Sequence, residues 1–215
     1  VIVTELTFVR HGQAHCNVAG IVGGPKTCTG LTDLGRRQIA LAARRLAAEH
    51  AQVPFHTLYA GPRLRLRQAG QLLADALGLP LIVEPGLDGP NHGDADGQPW
   101  HVIKTAFHGG PHTHPDRPWA SGSDTWNGYL QRARTALAGL VQHHSGQRVL
   151  LAVHGETVWA AHGLFLELGP EVRAGFAVDH ASLTRWQLHR NRFGQQQWLL
   201  DRHNDTAHLG DRGQP

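Results

Sequence analysis

The sequence predicts one α/β domain built on a mostly parallel sheet with an antiparallel edge, and three observations predict it. Short runs rich in β-branched and apolar residues (residues 1–9, 55–60, 81–84 and 149–153) alternate with stretches of helical periodicity. Two later strand-like runs, residues 182–190 and 197–202, are joined instead by Asn191-Arg192-Phe193-Gly194, a hairpin at the sheet edge. The 215 residues, 40% of them hydrophobic, are enough for one sizeable core, and no repeat or linker divides residues 1–215.

Taken in order, the first strand ends in Arg10-His11-Gly12-Gln13 and opens a loop, residues 11–30, that holds Gly20, Gly23, Gly24 and Gly30. Glycines there let backbone N–H groups approach an anion. Thr32 and Asp33 read as the cap and first-turn acid of a helix reaching about residue 49, with Leu34, Ile39, Ala42, Ala43 and Leu46 at helical spacing. After the strand 55–60 and the Gly61-Pro62 turn, a helix runs over 63–77, apolar at Leu66, Ala69, Leu72, Leu73 and Leu77, and stops at Gly78 and Pro80. Arg63, Arg65 and Arg67 crowd its start, and for Arg63 and Arg67 the reading is a solvated basic face.

Residues 98–122 carry many Pro, His, Gly and Trp residues and little periodicity, and read as a long loop or short helices; about 98–125 forms a pocket-capping insertion. His108, His112 and His114 lack a supporting cysteine or glutamate and read as a polar surface loop rather than a zinc site. Trp100, Phe107, Trp119 and Trp126 read chiefly as packing, with contact to a larger or aromatic ligand the other reading. Ser123, Asp124 and Thr125 lead into a helix over 126–143 with Leu130, Ala133, Leu137, Leu140 and Val141 on one face. The strand 149–153 delivers His154-Gly155-Glu156, and a helix follows from about 156 to 168, ended by Gly169-Pro170. The tail from His203 reads as surface.

Composition narrows the function classes. A net charge of +3, a pI of about 9.3 and 17 histidines give a mild basic excess that suits anionic ligands. No basic-aromatic stripe or nucleic-acid-reading module is present, so a small anionic substrate is expected and nucleic acid is not. No apolar run is long enough for a membrane span. No basic segment followed by an apolar one opens the chain, which predicts a cytoplasmic protein, and Cys16 and Cys28, the only cysteines, fit a reducing compartment. No metal or other cofactor is expected; a homodimer through the edge hairpin or an exposed helix is open.

Two strands that each end in His-Gly form an uncommon coincidence. Arg10-His11-Gly12, the later Pro62, Arg65 and Gln68 in a Pro-x-x-Arg-x-x-Gln setting, and His154-Gly155 after a late strand together resemble the histidine phosphatase superfamily, in its phosphoglycerate-mutase-like branch, from about residue 4 to 209. The resemblance implies a three-layer α/β/α sandwich. It also implies a phosphate monoester hydrolase in which His11 attacks phosphorus and carries the phosphoryl group, Arg10 and Arg65 grip its oxygens, and His154 donates to one of them. Gly12, Asn17 and Gly155 would complete the phosphate pocket, and a backbone carbonyl such as that of Gly12 would hold the other nitrogen of His11. A phosphoglycerate-mutase-like phosphotransferase is the neighbouring alternative, and a catalytically weakened member that binds a phosphorylated ligand is a third.

Two departures from the pattern matter. Ala14-His15 replaces the usual Thr-Glu pair. Aligned on Leu87 and Gly93, the glutamate that is the general acid in many relatives falls on Gly89. Glu156, two residues after His154, is then the first candidate acid, its other reading being a first-turn helix acid, and Asp88 and Asp94 are alternatives. Gly122, Ser123 and Asp124 stand where relatives have a substrate-touching turn, although a simple helix cap explains them equally.

Overall fold

The structure, a computed structural model, describes residues 1–169 and 174–210. The described residues contain strands β1 (Ile2–Arg10), β2 (Thr57–Ala60), β3 (Leu81–Val83), β4 (Arg148–Val153), β5 (Leu183–Arg190) and β6 (Gln196–Asp205). They form one sheet in the order β3-β2-β4-β1-β5-β6, parallel from β3 to β1 and antiparallel at β5 and β6. The helices are α1 (His15–Val18), α2 (Asp33–Gln52), α3 (Leu64–Leu77), α4 (Trp100–Phe107), α5 (Trp126–His143) and α6 (Gly155–Phe165).

The two central strands are buried on both faces because helices cover both. Val9, Leu58 and Leu150 pack with Ile39 and Leu46 of α2 and Leu66 and Leu73 of α3. On the other face Phe8, Leu151 and Trp186 pack with Tyr129 and Leu137 of α5 and Phe165 of α6. These clusters make the three layers. The helices begin where their caps allow: Thr32 Oγ1 accepts from Gly35 N, and Thr125 Oγ1 from Gly128 N, each at 3.0 Å. Gly78, at φ +67°, turns the chain out of α3 in the left-handed conformation that glycine adopts without strain.

Several boundaries differ from expectation. The two antiparallel edge strands are those expected, but residues 203–205 belong to β6 rather than to a surface tail. They are held because Arg45 of α2 reaches Asp205 at 2.7 Å. Helix α6 stops at Phe165, and Pro170 lies outside the described residues. The 98–122 segment contains α4 and a small core of its own, in which Phe107 and Trp119 pack on Val22 and Ala95. Backbone bonds from Gly97 N to Val22 O and from Val22 N to Gln98 O, both 2.8 Å, tie it to the loop that follows α1.

The register places the chemistry. Arg10 stands beside Val153, so β1 and β4 end together, and His11 N donates to Val153 O at 3.0 Å. Antiparallel β5 starts at the same edge, where Ala181 N donates to His11 O at 3.2 Å. His11, His154 and the residues before β5 therefore meet at the carboxyl edge of the parallel strands, the usual ligand side of an α/β sheet.

Candidate active site

Each end of the His11 ring has one partner. Nδ1 lies 2.7 Å from Gly12 O, and Arg65 Nε lies 3.2 Å from Nε2. A carbonyl only accepts and a guanidinium only donates, so Nδ1 carries the proton and Nε2 the lone pair. The same logic fixes His154. Arg65 Nη2 stands 3.4 Å from its Nδ1, which leaves the proton on Nε2, and that nitrogen is buried with no hydrogen-bond acceptor. The two rings meet edge to face with centroids 5.3 Å apart. Arg65 thus links both histidines, and its Nη1 is anchored on Gly23 O at 2.9 Å and reaches Cys28 Sγ at 3.3 Å.

Close backbone approach makes this possible. A Cβ on Gly12 would fall 2.2 Å from Gly35 O, so the turn after β1 packs directly on the first turn of α2. Gly155 opens α6 beside Arg10 Nε, which is buried without an acceptor. Arg10 itself donates to Val178 O and stands 3.3 Å from His180 Nε2. Donors from Arg10, Arg65 and His154 and the N-terminus of α6 thus converge around His11, an arrangement suited to a tetrahedral dianion.

The structure corrects the reading of Arg63 and adds His180. Arg63 is buried rather than solvated: it donates to Gly23 O at 3.1 Å and to Pro90 O, and pairs with Asp88 at 2.8 Å. It sits at the cap position of α3 with its side chain turned into the cluster, whereas Arg67 is exposed. His180, 5.8 Å from the His11 ring, was not singled out by the sequence; it enters because β5 pairs antiparallel with β1. Asn17 is exposed, and its Oδ1 accepts from Ala14 N at 2.9 Å, capping α1 rather than joining the arginines.

At the departure from the family pattern, geometry leaves little room for a side chain. A Cβ on Gly89 would lie 3.0 Å from His154 Nε2 and 3.1 Å from Arg63 Nη1. Asp88 supplies the nearby carboxylate: its Oδ1 accepts from Gly89 N at 2.8 Å, pairs with Arg63 and stands 3.8 Å from His154 Nε2. Glu156 is half-buried on the first turn of α6, close enough to Arg10 and Arg63 for its charge to offset part of their burial. Asp94 is exposed on a neighbouring turn and holds no side-chain partner among the described residues. Asp124 pairs with Arg132 at 2.9 Å, and Arg132 in turn donates to Gly89 O at 3.2 Å, bracing this loop against α5. In the 108–114 segment, His112 packs on Trp126 and Trp159 and His114 on Phe107.

Burial, reinforced by the arginines, holds His11 and His154 well below the ordinary histidine range, so both are neutral near pH 7. Burial is also the main reason that His92, His162 and His180 fall to about 3, 4 and 4. An unfolded histidine titrates near 6.5, so between about pH 6.5 and 4 the unfolded chain takes up protons that the folded chain refuses. Stability is fully present above 6.5 and falls as the pH drops, by up to about 1.4 kcal/mol per pH unit for each wholly buried ring. Thermal unfolding followed by circular dichroism is expected to show Tm decreasing steeply from pH 6.5 to 4.5; a Tm constant over that window would contradict neutral burial of these rings.

The sequence model of the histidine phosphatase superfamily (branch 1) matches residues 6–206. The chain belongs to this family. Among its relatives, a metal-independent phosphoserine phosphatase of Arabidopsis thaliana is 26% identical over 98% of this chain and 85% of its own length. A probable phosphoglycerate mutase of Yersinia enterocolitica is 24% identical over 95% of this chain and 94% of its own. A mycobacterial glucosyl-3-phosphoglycerate phosphatase superposes with a TM-score of 0.76 at 24% identity, over 93% of this chain and 98% of that one. Both the family and the sandwich fold expected from the sequence are borne out.

Proposed function

We propose that this histidine phosphatase hydrolyses a small phosphate monoester through a phosphohistidine on His11. The observation that carries the reading is the His11 ring itself, protonated on Nδ1 against Gly12 and presenting the Nε2 lone pair among Arg10, Arg65 and His154. Phosphoryl transfer demands mostly alignment and charge neutralisation, which this cluster supplies. On arrival of a phosphate dianion, Arg65 donates to its oxygens instead of to Nε2, and the lone pair attacks phosphorus in line. The N–P bond forms as the ester P–O bond breaks, and the leaving oxygen takes a proton from a nearby acid. Water then attacks phosphorus and the N–P bond breaks. Inorganic phosphate departs, and the acid recovers its proton from the attacking water. His154 Nε2–H and Arg10 Nε, buried donors without acceptors, stabilise the equatorial oxygens.

Glu156 is the preferred acid. Asp88 is already engaged by Arg63 and Gly89 N, whereas no hydrogen bond among the described residues ties up the Glu156 carboxyl. Its expected signature is selective: Glu156→Gln lowers kcat/KM on alkyl phosphates by about 100-fold or more while an activated aryl phosphate loses little. Equal losses on both substrates would remove Glu156 from the role.

The likeness to a probable phosphoglycerate mutase keeps phosphotransfer between substrate hydroxyls as the second reading. A panel of metabolite phosphates assayed for inorganic phosphate separates the two. Hydrolysis releases phosphate from the preferred substrate in proportion to turnover, whereas a mutase isomerises phosphoglycerate with little release. A folded protein that binds phosphate and turns over nothing would favour the weakened, ligand-binding alternative. We assign it to the cytoplasm on its sequence; among the described residues no helix is long and apolar enough to cross a membrane.

A further inference from the structure

The outer face of α5 and α6 carries a cavity of about 820 Å³, within the range of small-molecule sites. Its walls are aromatic near the catalytic edge and cationic farther in. Trp126 and Trp159 meet edge to face at 5.8 Å, His112 packs on both, and Trp159 Nε1 donates to Phe176 O at 2.8 Å. At the other end Arg134 packs against Gly163 of α6. Its Nε is shielded from solvent with no acceptor, and no described carboxylate pairs with it. Gly163 makes this placement possible, since a Cβ there would fall 2.1 Å from Arg134 Nη2.

Topology sets the aromatic end of the cavity toward the sheet edge that carries His11. Helix α5 leads into β4 and α6 leaves it, so both helices begin at the edge where β4 delivers His154. Tyr129 Oη and Thr157 Oγ1 meet there at 3.1 Å. Trp159 lies one turn beyond Glu156 on α6, and Gly163 seven residues beyond it, about 10 Å along the axis at 1.5 Å per residue. The opposite wall, Phe176, runs directly into Val178, whose carbonyl holds Arg10.

We propose that this cavity is the leaving-group subsite. It takes a phosphate monoester whose alcohol part has a planar, ring-sized body between Trp126, Trp159 and Phe176 and ends in a carboxylate on Arg134. A bidentate guanidinium–carboxylate pair satisfies the stranded donor, and the aromatic walls exclude water from it. The assignment rests on the phosphatase reading, so its test has one arm that does not need turnover.

In the first arm, phenyl phosphates bearing a para ω-carboxyalkyl chain are compared with their neutral carboxamides. The acid is expected to exceed the amide about tenfold or more in kcat/KM, chiefly through KM, and Arg134→Gln to erase the difference while leaving plain phenyl phosphate unchanged. In the second arm the phosphate-free carboxyalkylphenol is titrated against tryptophan fluorescence. Quenching should saturate in the wild type and in His11→Ala, and weaken about tenfold in Arg134→Gln and in Gly163→Ala, which pushes the guanidinium aside. If no aryl phosphate is hydrolysed but the quenching pattern holds, the phosphatase reading fails and the binding site stands. No saturable quenching by the acid, or equal quenching by acid and amide, overturns the subsite.

Discussion

His11→Ala is expected to abolish phosphate release, with kcat falling on the order of 10⁴-fold or more, because the variant lacks the nucleophile rather than a supporting group. The buried position predicts that stability survives. The ring meets Gly12 O and Arg65, and its removal leaves one carbonyl and one guanidinium donor to be satisfied by water in a polar site. Phosphate release measured beside thermal unfolding distinguishes loss of chemistry from loss of fold. Residual turnover within tenfold of wild type would mean that water attacks the ester directly and that His11 is not its covalent acceptor.

Arg65 carries the second large effect. It contacts His11 Nε2, His154 Nδ1, Gly23 O and Cys28 Sγ at once, so it aligns the two histidines as well as, in the proposed reaction, gripping phosphate. Arg65→Lys keeps a positive charge but cannot hold both rings through a planar fork, and we expect kcat to fall about 10²- to 10³-fold. Charge neutralisation alone would predict near-complete rescue by lysine. A lysine variant within threefold of wild type would show that geometry at Arg65 is unimportant.

The candidate site was largely legible in the sequence, because an apolar strand ending in His-Gly points to both the strand and the sheet edge it reaches. His11 and His154 could be paired on that ground, and the packing of parallel β1 beside β4 brings them together. Arg63 was not legible. Arginines at the first positions of a helix share one pattern whether they face water or turn back into the sheet edge, and only the path of the 87–91 loop, which brings Asp88 to Arg63, decides. His180 was hidden for a related reason. Its place depends on β5 pairing antiparallel with β1, a long-range choice that local pattern does not encode. The end of β6 was missed because 203–205 are polar and Asn204 sits at φ +48°, which breaks the alternation expected of a strand.

The Gly89 departure also has a physical account at the level of side chains. With Arg63, His154 and the Asp88 carboxylate filling the space around it, the loop already carries one acid at this edge, and Glu156 stands on the first turn of α6 near Arg10 and Arg63. Two carboxylates within one cluster of buried cations can divide the work, one pairing an arginine and the other moving a proton.

The central claim is a covalent phosphoryl group on His11. The most direct measurement is rapid acid-free quenching of the enzyme during turnover of an activated aryl phosphate, followed by peptide mass spectrometry. The account predicts an alkali-stable, acid-labile phosphate on the peptide containing His11, formed and discharged at rates that match turnover and absent in His11→Ala. Full turnover with no phosphopeptide at any time, or phosphate on another residue formed at the turnover rate, would contradict it.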